Sequence, residues 1–84
     1  GWNNVHQTID HPLWQGVEQD SRFYFVHSYH VESLNNPNVS GTCSYGSEFA
    51  AALSHNNLFA VQFHPEKSAD AGLQLLRNFC QWTV

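Results

Sequence analysis

The 84 residues suffice for one small domain, and only 12% of them are charged, so part of the surface is expected to be covered by a partner. Seven acidic and three basic residues give a formal net charge of −4, which excludes a basic stripe for nucleic acid. The sequence has no apolar run near the ~20 residues of a membrane span and no signal-peptide pattern, which predicts a soluble, cytoplasmic chain.

The first third of the chain is predicted to hold one irregular segment and one strand. Residues 1–21 are expected to be irregular, apart from a short helical turn that begins at Pro12 and ends near Gly16. Residues 22–32 are rich in aromatic and β-branched side chains, which favour a strand with both faces partly covered. Alternation assigns its two faces as Phe23, Phe25, His27, Tyr29 and Tyr24, Val26, Ser28, His30.

Three further strands are predicted between residues 39 and 63. Residues 39–45 follow the turn formers of 35–38 and are expected to pair antiparallel with 22–32. Residues 49–53 are alanine-rich and compatible with a helix, but the following Asn56 and Asn57 suit a two-residue hairpin loop and therefore favour a strand. The returning strand is predicted over 58–63.

The chain is predicted to end in an amphipathic helix over 69–82. Ser68 is a suitable N-cap, and Asp70 places a negative charge in the first turn, where it complements the helix dipole. The fold class is therefore α/β, with mostly antiparallel strands and one C-terminal helix that packs on the sheet. The face expected to pack is Gly72, Leu73, Leu76, Phe79, Cys80 and Thr83.

The candidate chemistry lies between the last strand and the helix. His64 and Glu66 flank Pro65, and side chains two residues apart in extended backbone project to the same side. A carboxylate there can fix the tautomer of a histidine base and stabilise the imidazolium, as in a nucleophile-base-acid triad. On residue types alone, the alternative is a loop-capping histidine beside a surface charge.

Residues Gln62 to Glu66 resemble the signature of the class I (triad) glutamine amidotransferases, in which a Cys-His-Glu triad hydrolyses glutamine. Three more segments, Gly1–Asn3, Phe23–Tyr29 and Lys67-Ser68, resemble the glutaminase subunits of imidazole glycerol phosphate synthase. The resemblance implies that residues 1–84 are the C-terminal part of a single glutamine amidotransferase domain. Another class I glutaminase, such as one serving anthranilate, carbamoyl phosphate or GMP synthesis, is the alternative within this chemistry.

By this resemblance His64 is the general base and Glu66 its orienting partner, with glutamine converted to glutamate and ammonia through a cysteinyl thioester. The ammonia passes to a barrel-shaped synthase partner in histidine biosynthesis, and no cofactor is implied. Trp2, Tyr24 and Lys67 match positions at the contact with that partner; two core aromatics and a solvated lysine are the alternative.

The resemblance also places His27, Ser28 and Tyr29 beside the glutamine site, where packing is the alternative role for Tyr29. A metal site is not predicted, because His27 and His30 point to opposite faces of a strand and no closed Cys/His spacing is present.

The main departure from the family pattern concerns the nucleophile. Residues 1–84 contain no Gly-x-Cys-x-Gly elbow, and Cys43 on a strand and Cys80 on the packing face of a helix are expected to be free thiols that do not replace it. The chain alone is therefore predicted to be inactive and to self-associate through open strand edges and apolar faces. A non-catalytic assembly module that retains the His-Pro-Glu corner is the competing hypothesis from another functional class.

Overall fold

The computed structural model describes residues 1–25, 36–45 and 47–82. Their strands form one antiparallel sheet with the order β2-β1-β3-β4-β5, and a helix follows the last strand. The predicted class, antiparallel strands with one C-terminal helix, is confirmed. The elements are β1 (Trp2–Gln7), a first 3-10 turn (Pro12–Trp14), β2 (Arg22–Tyr24), β3 (Val39–Tyr45), β4 (Ser47–His55), β5 (Leu58–Val61), a second 3-10 turn (Pro65–Lys67) and α1 (Ala69–Gln81).

Strand β1 contradicts the prediction that residues 1–21 are irregular. Its sequence has two adjacent asparagines, which disfavour strands, and Val5 is its only buried side chain. The strand forms because it has a partner on each side: Trp2 lies opposite Tyr24 of β2, and Val5 lies opposite Cys43 of β3. Pairing on both edges therefore overrides weak local propensity.

The predicted turn at Pro12 is confirmed. The Leu13 backbone N–H donates to His11 Nδ1 at 3.1 Å, so the histidine caps the turn, and Gly16 turns the chain with φ of 77°. The turn buries Leu13 and Trp14, and the Trp14 indole N–H donates to the Ser40 carbonyl at 3.0 Å. This contact fixes the turn on the sheet.

Strand β2 and the following Phe25 have the alternation predicted for them, with Phe23 and Phe25 buried and Tyr24 half-buried between them. The rest of the predicted strand, residues 26–32, lies outside the described residues. Phe23 stacks on Phe63 with ring centroids 4.2 Å apart. The predicted pairing of 22–32 with 39–45 is wrong for the described residues, because β1 lies between β2 and β3.

Strand β3 has the predicted bounds, and the predicted two-residue loop joins β4 to β5. β4 spans Ser47–His55, two residues longer at each end than the predicted 49–53. Asn56 has φ of 53°, the left-handed conformation that a two-residue loop needs and that asparagine tolerates. β5 ends at Val61, two residues before the predicted boundary. Alanines 50–52 are buried in β4, where Gly41 of β3 leaves room for Trp14 and Val5.

Helix α1 has the predicted span, but of the predicted packing face Gly72 alone is buried among the described residues. Leu73, Leu76 and Phe79 are 52%, 38% and 56% exposed, and Cys80 is also exposed, whereas Thr83 lies outside the described residues. The buried residues of α1 are Gly72, Leu75 and Asn78.

The buried face of α1 combines an apolar contact, Leu75 in the hydrophobic core, with polar contacts made by Asn78. Asn78 Nδ2 donates to the carbonyls of Leu13 at 2.7 Å and Gln15 at 2.6 Å, which fastens the helix to the first 3-10 turn. A hydrophobicity pattern cannot register such a contact, because it scores asparagine as a surface residue. Among the helices described, none has the length and apolar character needed to cross a bilayer.

Candidate active site

The His-Pro-Glu corner lies beyond the end of β5, where the chain leaves the sheet for α1. His64 Nδ1 is 3.4 Å from Glu66 Oε2, so the contact expected from the sequence is present. The path of the backbone differs from the prediction, however. His64 itself is extended, with φ −102° and ψ 100°, but Pro65 begins the second 3-10 turn, so the contact with Glu66 is made across that turn. Because Nδ1 faces the carboxylate, Nε2 is the ring nitrogen directed elsewhere.

The His64–Glu66 pair is loose and accessible to solvent. The two side chains are 39% and 60% exposed, and 3.4 Å is longer than an ordinary charge-assisted hydrogen bond. The pKa of the Glu66 carboxyl lies below its usual value, first because the Glu66 backbone N–H donates to it and then because the His64 ring does. Glu66 is therefore an anion at neutral pH, as an orienting carboxylate must be.

The backbone of His64 is held more firmly than its side chain. Its N–H donates to the Tyr24 carbonyl of β2 at 2.8 Å. The buried Ser68 hydroxyl donates to the His64 carbonyl at 2.6 Å and accepts the Tyr24 N–H at 2.9 Å. The prediction that Ser68 caps α1 is wrong in mechanism, because this hydroxyl makes no capping bond to the helix.

Gly72 allows α1 to lie against the corner. A Cβ at this position would lie 1.9 Å from the Pro65 carbonyl oxygen and 2.8 Å from Ser68 Cβ, and the Gly72 N–H donates to the Ser68 carbonyl at 3.1 Å. Sequence reasoning placed Gly72 on the packing face but not against Pro65. A glycine in the first turn of a helix that follows a candidate base was the available signal.

The three residues assigned to a partner contact lie at the β2 edge of the sheet. The Trp2 and Tyr24 rings meet edge to face at 5.6 Å, and Arg22 lies 5.8 Å above the Trp2 ring. Trp2 is 43% exposed, and Tyr24 is half-buried. Lys67 is exposed at the end of the second 3-10 turn, which contacts β2.

The cysteines of the described chain differ in environment. Cys43 is buried in β3, and this burial raises the pKa of its thiol against the opposing effect of the Ser44 backbone, which makes it a poor nucleophile. Cys80 is exposed on α1 and not on its packing face. His27, Ser28 and Tyr29, predicted beside the substrate, lie outside the described residues, which contain no cluster of three or more potential metal ligands.

Comparisons with known proteins agree with the sequence signature. Residues 1–82 match the family model described as glutamine amidotransferase class-I. The chain is 60% identical over 82 residues to imidazole glycerol phosphate synthase subunit HisH of Hydrogenovibrio crunogenus, covering 98% of this chain and 38% of that protein. HisH of Acinetobacter baylyi is 55% identical, with 100% and 42% covered, and HisH of Nitrosomonas europaea is 55% identical, with 99% and 39% covered. The chain thus spans about two fifths of the length of these relatives.

Proposed function

Because this chain belongs to the class I glutamine amidotransferase family, we propose that it supplies the general base of a glutaminase that releases ammonia from glutamine. The observation that carries the proposal is the contact of His64 Nδ1 with the ionised Glu66 carboxylate at the end of the sheet. The HisH name of the relatives favours histidine biosynthesis over the other pathways that use class I glutaminases.

In the proposed reaction, His64 Nε2 takes the proton of a cysteine thiol, and the thiolate attacks the side-chain amide carbon of glutamine. Glu66 holds Nδ1 protonated and stabilises the imidazolium. His64 then gives its proton to the departing nitrogen, so the C–N bond breaks, ammonia leaves and a thioester remains. Water, deprotonated by His64, attacks the thioester and releases glutamate and the thiol.

The nucleophile in this scheme comes from outside residues 1–84. Cys43 is buried and its thiol pKa is raised. It has Gly41 two residues before it but Tyr45 two residues after it, and Cys80 has a glycine at neither position, so neither cysteine lies in a Gly-x-Cys-x-Gly elbow. We therefore infer that residues 1–84 are inactive alone and that the region of a relative preceding the match completes the site. A chain that joins this region of a relative to residues 1–84 is called the complete glutaminase below.

The β2 edge is the proposed contact with an ammonia-consuming synthase. Trp2 and Tyr24 form one aromatic patch there, and exposed Lys67 lies on the turn that carries the base. Aromatic side chains and arginine are enriched in protein interfaces, and Arg22 lies 5.8 Å above the Trp2 ring, whereas lysine is depleted there, so the aromatic patch carries this proposal. The printed names of the relatives, subunits of a synthase, support the choice of partner. A cytoplasmic location, and substrate contacts by His27, Ser28 and Tyr29, remain predictions.

Ammonia release by the complete glutaminase, mixed with the synthase subunit of the same relative, tests the proposal. His64→Ala should lower the release at least ~100-fold, and Glu66→Gln should lower it less, because the base remains. His55→Ala is the matched control, since His55 is exposed on the β4–β5 hairpin, and it should leave the rate unchanged. Undiminished release by His64→Ala would refute the assignment of the base.

A further inference from the structure

We propose that Ser68 is a positioning residue of the glutaminase: its hydroxyl sets the backbone of the base His64 on strand β2. This inference rests on the proposed function. The observation behind it is that one buried hydroxyl joins two backbone groups from separate parts of the chain, the Tyr24 N–H at 2.9 Å and the His64 carbonyl at 2.6 Å.

The pattern of bonds is that of a strand pair with a side chain inserted. In an antiparallel ladder, two opposite residues exchange two N–H···O=C bonds. Here His64 donates directly to Tyr24 at 2.8 Å, while the return bond from Tyr24 runs through the Ser68 oxygen. The hydroxyl thus continues the sheet to the residue that acts as base, one residue before Pro65 turns the chain away.

Ser68 also connects this pair to the helix. It is 1% exposed, and its carbonyl accepts the Gly72 N–H at 3.1 Å, so the first turn of α1 and the pairing of His64 depend on the same residue. The Ser68 N–H in turn donates to the Pro65 carbonyl at 3.0 Å. The hydroxyl therefore has a fixed direction, set by β2 on one side and α1 on the other.

The contact between the side chains of the site does not provide the same control. The His64–Glu66 pair is solvent-exposed at 3.4 Å, and exposed pairs of this kind restrain geometry weakly. Without the Ser68 hydroxyl, the Tyr24 N–H and the His64 carbonyl lose their shared partner. The His64 N–H to the Tyr24 carbonyl is then the one hydrogen bond left between His64 and β2 in the described part of the chain. A displacement of the base by about 1 Å is enough to cost about 100-fold in rate.

Isosteric variants of the complete glutaminase with its synthase partner isolate the hydroxyl. Threonine and valine have the same shape as each other, so Ser68→Thr and Ser68→Val have the same steric effect. Only threonine keeps a hydroxyl that can donate and accept hydrogen bonds. We expect the valine variant to have a kcat for ammonia release about 10- to 100-fold below that of the threonine variant, with KM for glutamine changed less than about 3-fold. Ser40→Ala is the control, because Ser40 is equally buried and its hydroxyl has no hydrogen-bond partner among the described residues; its kcat should be unchanged.

A second measurement asks whether Ser68 acts through the base. In a Glu66→Gln background, Ser68→Ala should reduce kcat by a smaller factor than in the unmodified enzyme, since both substitutions loosen the same imidazole. Equal kcat values for Ser68→Val and Ser68→Thr, or fully multiplicative effects with Glu66→Gln, would overturn the inference. If either of these results is found and His64→Ala is inactive, the role of Ser68 is refuted but the proposed function stands. If His64→Ala is active, the proposed function itself is refuted.

Discussion

Asn78→Asp tests whether the buried amide determines the packing of α1. The substitution keeps the shape of the side chain but replaces an NH2 donor with an oxygen that faces the carbonyls of Leu13 and Gln15, now 2.7 and 2.6 Å away. Two hydrogen bonds of about 1 kcal/mol each are lost, and two carbonyls lose a donor in a site that is 8% exposed, at a further ~1–3 kcal/mol. Burial of the charge adds to this, so we expect a loss of at least about 3–5 kcal/mol in unfolding free energy.

The measurement is urea unfolding of the complete glutaminase at pH 7 and again at pH 4.5. At the lower pH, part of the introduced carboxyl is protonated and regains one donor, so the deficit relative to the unmodified protein should shrink. Asn57→Asp makes the same chemical change on an exposed turn and should stay within about 0.5 kcal/mol of the unmodified protein. A deficit for Asn78→Asp no larger than that of Asn57→Asp would refute the reasoning.

Three further predictions follow from the described contacts. Gly72→Ala should lower kcat for ammonia release more than about 10-fold in steady-state kinetics. The new Cβ would lie 1.9 Å from the Pro65 carbonyl oxygen and must therefore displace the His-Pro-Glu corner. Burial lowers the pKa of His11 below its ordinary 6.5, so the neutral imidazole stabilises the fold above pH 6.5, and this stabilisation is lost as the pH falls through the folded-state pKa. The melting temperature of the unmodified protein should therefore fall between pH 7.5 and pH 5.5, and His11→Gln should reduce this difference. Residues 1–84 alone should self-associate through the exposed face of α1, and Leu76→Gln with Phe79→Gln should shift the sedimentation coefficient towards that of a monomer.

Local signals were sufficient for several parts of the fold. Strand β3 has the predicted bounds, the Asn56-Asn57 loop turns the chain as a hairpin, and the helix begins at residue 69. Each of these depends on residues that are neighbours in sequence, such as a turn former beside a β-branched run or an asparagine that tolerates positive φ. The family also follows from contiguous residues, because its signature spans only Gln62 to Glu66.

Long-range contacts decided the rest. β1 exists because β2 and β3 pair with its two edges, and the buried face of α1 combines Leu75 in the core with Asn78, whose partners lie 65 and 63 residues earlier. The role of Ser68 escaped prediction for the same reason, since one of its two partners, Tyr24, is 44 residues away. The sequence by itself determined the family and the start of the helix that follows its signature. Only the tertiary structure decided which polar groups meet, because a hydrogen bond depends on distance and direction in space, and neither is written in the order of residues.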